Sequence, residues 1–223
     1  MLRGQAAADL LVSRPRYIMS KLPSIPDWAS PALQGLAYWL GSQNAFRLEA
    51  NISEGAIAWA LSTLVFAHRT PGRVLEAEVL YKHIPELNRK NELARSRERA
   101  DLVIATSTRT DRTVSYGRGE VEAIVEIKHY RSRKQLVWDD IDYLGEQRIK
   151  SSAIRAFLIY ASVNERPDDF TDESGAAVQP RTLCTPDRET KFRVRRVCRA
   201  THRIPSKNKL AVDHYAVLIE VSP

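Results

Sequence analysis

The spacing of apolar residues along the chain divides it into helical and extended stretches. In "SPALQGLAYWLGSQ", Leu33, Leu36, Ala37 and Leu40 recur at helical spacing, with Ser30 as the expected N-cap and Pro31 as the first helical residue. A stronger helix is predicted from Asn51 to His68, apolar around much of its circumference and therefore expected to be well buried, with Pro71-Gly72 stopping it. The period then falls to two. In "RVLEAEVLY" (73–81) Leu75, Ala77, Val79 and Tyr81 alternate with other residues, which predicts a strand. Two more strands are predicted at 99–105 and 121–130, joined as an antiparallel hairpin by a polar connection containing Gly117 and Gly119. "WDDIDYLGEQRIK" (138–150) returns to helical spacing, with acids early and cations late as the helix dipole prefers. "IRAFLIYASV" (154–163) is apolar on both faces, the pattern of a central strand covered on both sides. A polar loop is expected from about Asn164 to Asp187, followed by a closing pair of strands in "TKFRVRRVCRA" and "DHYAVLIEV". The order describes an α/β fold with a mixed central sheet flanked by helices.

Composition adds a partner class. The chain has 223 residues, 43% of them hydrophobic, enough for one core of ordinary size. Its formal charge is +7, and from Arg181 to Lys209 ten Lys or Arg face only two acids, Asp187 and Glu189, so the basic surplus is concentrated there. Such a surplus favours a polyanion. Cys184 and Cys198 stand alone with no CxxC spacing, which suggests reduced thiols and a cytoplasmic location, not a disulfide framework or zinc site. No apolar run reaches the ~20 residues needed to span a bilayer, so no membrane association is expected.

The candidate chemistry lies in the predicted hairpin. Glu126 and Lys128 are two residues apart on one strand and project from one face, while Val125 and Ile127 point to the other. Asp101 interrupts an otherwise apolar strand beside them. A carboxylate buried without a counter-ion costs several kcal/mol, so these groups call for a use. Two carboxylates from neighbouring strands, with main-chain and water oxygens, suit octahedral Mg²⁺, with Mn²⁺ as a substitute. A lysine beside them would hold the attacking water or offset charge developing at phosphorus. A surface hairpin carrying a solvated charge cluster is the alternative, but it leaves Asp101 without a reason to sit in an apolar strand.

"RADLVI", a hairpin connection and then "AIVEIK" resemble the core signature of the PD-(D/E)xK, restriction-endonuclease-like nucleases, over about residues 50–163. The resemblance implies a restriction-endonuclease-like fold at 49–223, preceded by an N-terminal arm and helical extension at 1–48. It implies Asp101 and Glu126 as metal ligands and Lys128 as the catalytic cation. Glu54, on the preceding helix, becomes a supporting acid or further ligand. The signature's proline is absent, since Arg99-Ala100 precedes Asp101. Gln147, on the helix after Glu-x-Lys, matches a position where some members place a glutamine or basic residue near the site, and reads equally as an ordinary helix-surface amide.

Other candidates are weaker. Glu76 and Glu78 share one face of the preceding strand and would be either a further ligand or inert surface acids, while His129 points away from Lys128 and reads as structural. Lys191, Arg193 and Arg195 alternate with Phe192 and Val194, so one strand face would present cations to phosphates, with Arg196 and Arg199 continuing the basic run. A solvated edge strand protected by charge is the alternative. Arg131, Arg133 and Lys134 would give a cationic approach to the cleft. Nucleic acid, with DNA ahead of RNA, is the expected partner. A compact chain with no separate reading domain points either to low specificity or to specificity from a homodimer or partner protein, and Trp28, Tyr38 and Trp39 are candidates for that assembly or for the core. Two functions follow: a metal-dependent endonuclease, or an inactive nucleic-acid-binding or assembly subunit that keeps the fold.

Overall fold

A computed structural model describes residues 23–46, 52–87, 99–108, 117–184, 189–202 and 212–223. Strands β1 (Arg73–Leu80), β2 (Arg99–Thr108) and β3 (Gly117–His129) form an antiparallel meander. Helix α3 (Lys134–Lys150) then crosses to β4 (Arg155–Val163), which runs parallel to β3. After β5 (Arg181–Cys184), strands β6 (Glu189–His202) and β7 (Val212–Ser222) pair antiparallel, completing a sheet of order β1-β2-β3-β4-β7-β6-β5. Helices α1 (Ala29–Phe46) and α2 (Glu54–His68) cover one face and α3 the other. The molecule is thus a mixed α/β fold with a seven-stranded, mostly antiparallel sheet and three helices. No helix among the described residues is long and apolar enough to cross a membrane.

Alternation on the strands builds two cores. Leu102 and Ile104 of β2, Ala123, Val125 and Ile127 of β3, and Phe157 and Ile159 of β4 face α1 and α2. Val103, Ile124, Ala156 and Leu158 face Val137, Ile141 and Leu144 of α3. The central position expected of residues 154–163 holds, with β4 lying between β3 and β7. Each buried CH₂ contributes about 0.8 kcal/mol, so this double coverage dominates the stability of the sheet.

Several expectations shift. Helix α1 begins at Ala29, so Ser30 lies inside its first turn instead of capping it, and Pro31 is its third residue instead of its first. Helix α2 begins three residues after Asn51, where the Ser53 hydroxyl accepts from the Ala56 amide at 3.2 Å. It is buried on one face only, because Trp59 and Phe66 are 69% and 59% exposed. Helix α3 starts at Lys134, four residues before the apolar periodicity becomes legible. The 164–187 loop contains β5. Trp28 belongs to the core and Trp39 packs against it, leaving Tyr38 exposed among the three proposed assembly residues. The expected boundary at residue 48 lies outside the described residues, and α1 shares one core with α2 and the sheet.

Candidate active site

At Asp101 the ladders between β1, β2 and β3 are interrupted, away from the register shifts that β2 and β3 also show around Ala105. Pairing of β1 with β2 runs through Ala77↔Leu102 and Val79↔Ala100, so Glu78 stands opposite Asp101. Glu78 has φ +54°, in the left-handed region that a non-glycine residue occupies only at a cost, on the order of 1 kcal/mol. Glu76 and Glu78 therefore do not form the regular, shared strand face their spacing suggests. On the other side, pairing of β2 with β3 ends at Leu102↔Val125, and beyond it the Asp101 carboxylate accepts from the Ile127 amide at 2.6 Å. That bond takes the place of a ladder contact and fixes the carboxylate beside β3.

Glu126 is 7% exposed and sits on the α3 face of β3 with Ile124. The Tyr81 hydroxyl, at the turn after β1, donates to its carboxylate, and the Tyr81 ring packs edge-on against Tyr143 of α3 at 5.0 Å. Burial pushes the Glu126 carboxyl well above its ordinary range, and the charge of Asp101 adds to the rise, while Tyr81 and Lys128 oppose it. Burial likewise pushes Asp101 up to about 6, against the Ile127 amide and Lys128 and with the help of Glu54 and Glu78. The two carboxylates thus lie in one electrostatic site.

Lys128, two residues after Glu126, reaches the end of the sheet between two helices. Its ammonium lies 3.0 Å from Asp140 of α3 and 3.3 Å from Glu54 at the start of α2. Burial would lower its pKa, but Asp140, Glu54 and Asp101 more than reverse this and hold it above its usual value. Glu54 also accepts from the Ser132 hydroxyl at 3.4 Å, so its carboxylate is engaged by Lys128 and Ser132.

The chain matches no protein-family model, no curated protein and no solved structure. Its site is therefore read from its own geometry.

Among the described residues, no three His, Cys, Asp or Glu side chains converge on a point where they could hold a metal ion. The paired carboxylates Asp101 and Glu126 nonetheless fit a magnesium ion, which keeps several waters and takes only one or two carboxylates from a protein. The charge balance fits as well. Glu54, Glu78 and Asp140 add negative charge around the pair, and Lys128 is the cation that faces them.

The remaining predicted residues are more dispersed. Gln147 is buried on α3, two turns or ~10 Å beyond Asp140, and its side-chain nitrogen has no partner among the described residues. No described contact joins it to Asp101, Glu126 or Lys128. The His129 ring accepts from the Arg131 amide at 3.1 Å, and burial lowers its pKa. Arg131 and Arg133 are exposed in the turn after β3, on the Lys128 side, and Lys134, exposed at the start of α3, pairs with Asp169 at 2.7 Å.

Strand β6 lies three positions from β3 in the sheet, roughly 14 Å away. Phe192 and Val194 are buried while Lys191, Arg193 and Arg195 alternate with them, as expected, and a register shift between Val194 and Arg196 changes the pattern only beyond this stretch. The Arg195 guanidinium is held by Glu220 and the Pro23 carbonyl. Arg196 is exposed, and Arg199 pairs with Asp213 at 2.6 Å. At its distance from β3 the basic strand does not lie against the carboxylates. Cys184 is exposed and Cys198 buried, both as free thiols.

Tyr81 and Asp140 escaped the sequence reading. Tyr81 reads there as the last apolar residue of a strand, and Asp140 as one of the acids favoured early in a helix. A tyrosine closing a strand ahead of an acid-bearing strand, and an acid on the helix after Glu-x-Lys, are the signals that would have found them.

Proposed function

We propose that the protein is a metal-dependent nuclease of restriction-endonuclease-like fold that hydrolyses phosphodiester bonds, in DNA ahead of RNA, with Asp101 and Glu126 holding Mg²⁺ or Mn²⁺. The observation that carries this reading is the convergence of buried Glu126 and half-buried Asp101, from adjacent strands, with Lys128 two residues after Glu126. The order helix, meander of three strands, helix and parallel strand also agrees with what the resemblance of "RADLVI" and "AIVEIK" implies.

The bound cation would supply a water of lowered pKa and offset charge on the phosphorane. The chain's own residues do the rest. The Ile127 amide orients Asp101, and Tyr81 orients Glu126. Asp140 and Glu54 keep the Lys128 ammonium charged and fixed at the end of the sheet, where it would hold the attacking water or stabilise the developing oxyanion. Arg131 and Arg133, exposed next to this end, would meet flanking phosphates.

The test is to incubate the protein with plasmid and single-stranded DNA and with RNA, in Mg²⁺ or Mn²⁺, with EDTA and Lys128→Ala as controls. Metal-dependent cleavage that is lost in Lys128→Ala is expected. Equal cleavage by wild type and Lys128→Ala would remove the site assignment. Nucleic-acid binding with no cleavage by the wild type would favour an inactive binding or assembly subunit.

A further inference from the structure

A second charged site lies at the other end of the sheet. Lys128 is aligned with Tyr160 and, through it, with Val217 of β7, whereas Lys191 pairs with Ser222, five residues or about 17 Å further along that strand. There a cavity of about 330 Å³ opens between β5, β6, the end of β7 and the last turns of α3. Five cationic side chains, Arg148, Arg181, Lys191, Arg193 and Arg195, line it against one carboxylate, Glu220.

That carboxylate does not neutralise the cavity. Arg195 pairs with it from β6, and Arg155 of β4 holds it at 2.9 Å. Arg148 is turned to the main chain and donates to the carbonyls of Ser152 and Ile154. Arg181, Lys191 and Arg193 have no acidic partner among the described residues. Glu220 stands opposite Arg193 in the register but is already shared by Arg195 and Arg155, so among the described residues the cations leave the cavity a net positive charge, whose repulsion falls when an anion enters. A phosphate monoester matches them better than a carboxylate, because it carries nearly two negative charges at neutral pH and several acceptor oxygens suited to arginine forks.

We propose that this cavity is a phosphate-binding site that takes a phosphate monoester, supplied by the phosphorylated end of a nucleic-acid strand or by a free nucleotide. It does not depend on the hydrolytic reading of the Lys128 site.

The experiment uses the full chain with EDTA throughout, so that hydrolysis plays no part. Thermal unfolding is followed in potassium phosphate and in potassium chloride of equal ionic strength. Binding is followed by fluorescence anisotropy with a 5′-phosphorylated oligonucleotide, its 5′-hydroxyl twin, and adenosine monophosphate as competitor. The wild type should be stabilised by phosphate and should bind the phosphorylated strand about tenfold more tightly than its twin. Both effects should disappear in Lys191→Ala/Arg193→Ala and weaken in Arg193→Gln, a gentler change at a half-exposed position. They should persist in Lys82→Ala, an exposed cation outside the cavity. Competition by the mononucleotide at comparable concentration would mark a free nucleotide as the ligand, and its failure would mark the strand end. The proposal is overturned if the wild type shows no preference for phosphate or the 5′-phosphate, if the preference survives the double variant, or if Lys82→Ala removes it equally.

Discussion

The Lys128 ammonium lies 3.0 Å from the Asp140 carboxylate, so the strand residue proposed to act on phosphate is held by a helix residue twelve positions further along the chain. Asp140 raises the Lys128 pKa and limits where the ammonium can go. In Asp140→Asn the lysine should titrate closer to its ordinary value and sample more positions. The expected result is a cleavage rate lower by about tenfold, comparable to 1.4 kcal/mol in the barrier, with the alkaline limb of the pH–rate profile moved to lower pH. An unchanged alkaline limb would remove Asp140 as the residue that positions Lys128.

The paired carboxylates should make the metal-free fold less stable as pH rises. Asp101 has an ordinary value of 3.8 and is pushed to about 6 in the fold, so between these values the folded state holds more protons than the unfolded one. Stability is therefore greatest below about pH 4 as far as this group is concerned, and it is lost as pH rises through 6. Asp101→Asn removes the charge while its side-chain oxygen can still accept from the Ile127 amide. It should be more stable than wild type at pH 8 by on the order of 2 kcal/mol in denaturant titrations with EDTA, and the gap should close at pH 4. A gap of the same size at both pH values would mean that the carboxylate charge is not responsible.

Addition of Mg²⁺ should reverse that penalty. A cation that binds only the folded state stabilises it by about 2.7 kcal/mol at one hundred times its dissociation constant. Because protons compete for the same raised carboxylates, the Mg²⁺-dependent rise in Tm should be large at pH 8 and small at pH 5, and Glu126→Gln should abolish it. Equal Mg²⁺ stabilisation of wild type and Glu126→Gln would place the ion elsewhere.

The three polar residues at the centre of the site were legible because each contradicts its surroundings. Asp101, Glu126 and Lys128 interrupt strands whose central positions are otherwise apolar and divided between two cores. Their partners were not legible. Tyr81 reaches Glu126 across 45 residues of chain and Asp140 reaches Lys128 from the next helix, and neither approach leaves a local periodicity. The start of α3 was missed for a related reason, since Arg133 makes no side-chain cap and the first turn carries no acid. On β6 the alternation of cations with Phe192 and Val194 was legible, but not the strand's place three positions from β3 in the sheet. Nor were the acids that engage it, since Glu220, distant in sequence, takes Arg195 and Asp213 takes Arg199.

A packing constraint behind the site can be tested separately. A Cβ added at Gly145 of α3 would come within 2.6 Å of the Thr190 side chain, which is fully buried on β6. Thr190 is also tied to Asp142 at 3.2 Å, so it has little freedom to move aside. Gly145→Ala should destabilise the fold by about 1–3 kcal/mol despite the higher helix propensity of alanine. Gly35→Ala, whose Cβ would meet the flexible end of Leu64 at 2.7 Å, should cost less. Chemical denaturation of the two variants compares them directly, and a more stable Gly145→Ala would show that α3 and β6 are not in this close contact.

Tyr81→Phe isolates the last contact of the site. The hydroxyl donates to the Glu126 carboxylate, and its effect is to favour the charged form against burial and the neighbouring Asp101. Removing it leaves the ring against Tyr143 and so should cost the fold only about 1 kcal/mol. The Glu126 carboxyl should then rise further, so the acidic limb of the pH–rate profile should move to higher pH. More Mg²⁺ should be needed for half-maximal activity at neutral pH, with the difference shrinking as pH rises and deprotonation becomes complete. A loss of activity by the same factor at every pH would instead assign Tyr81 a purely structural part.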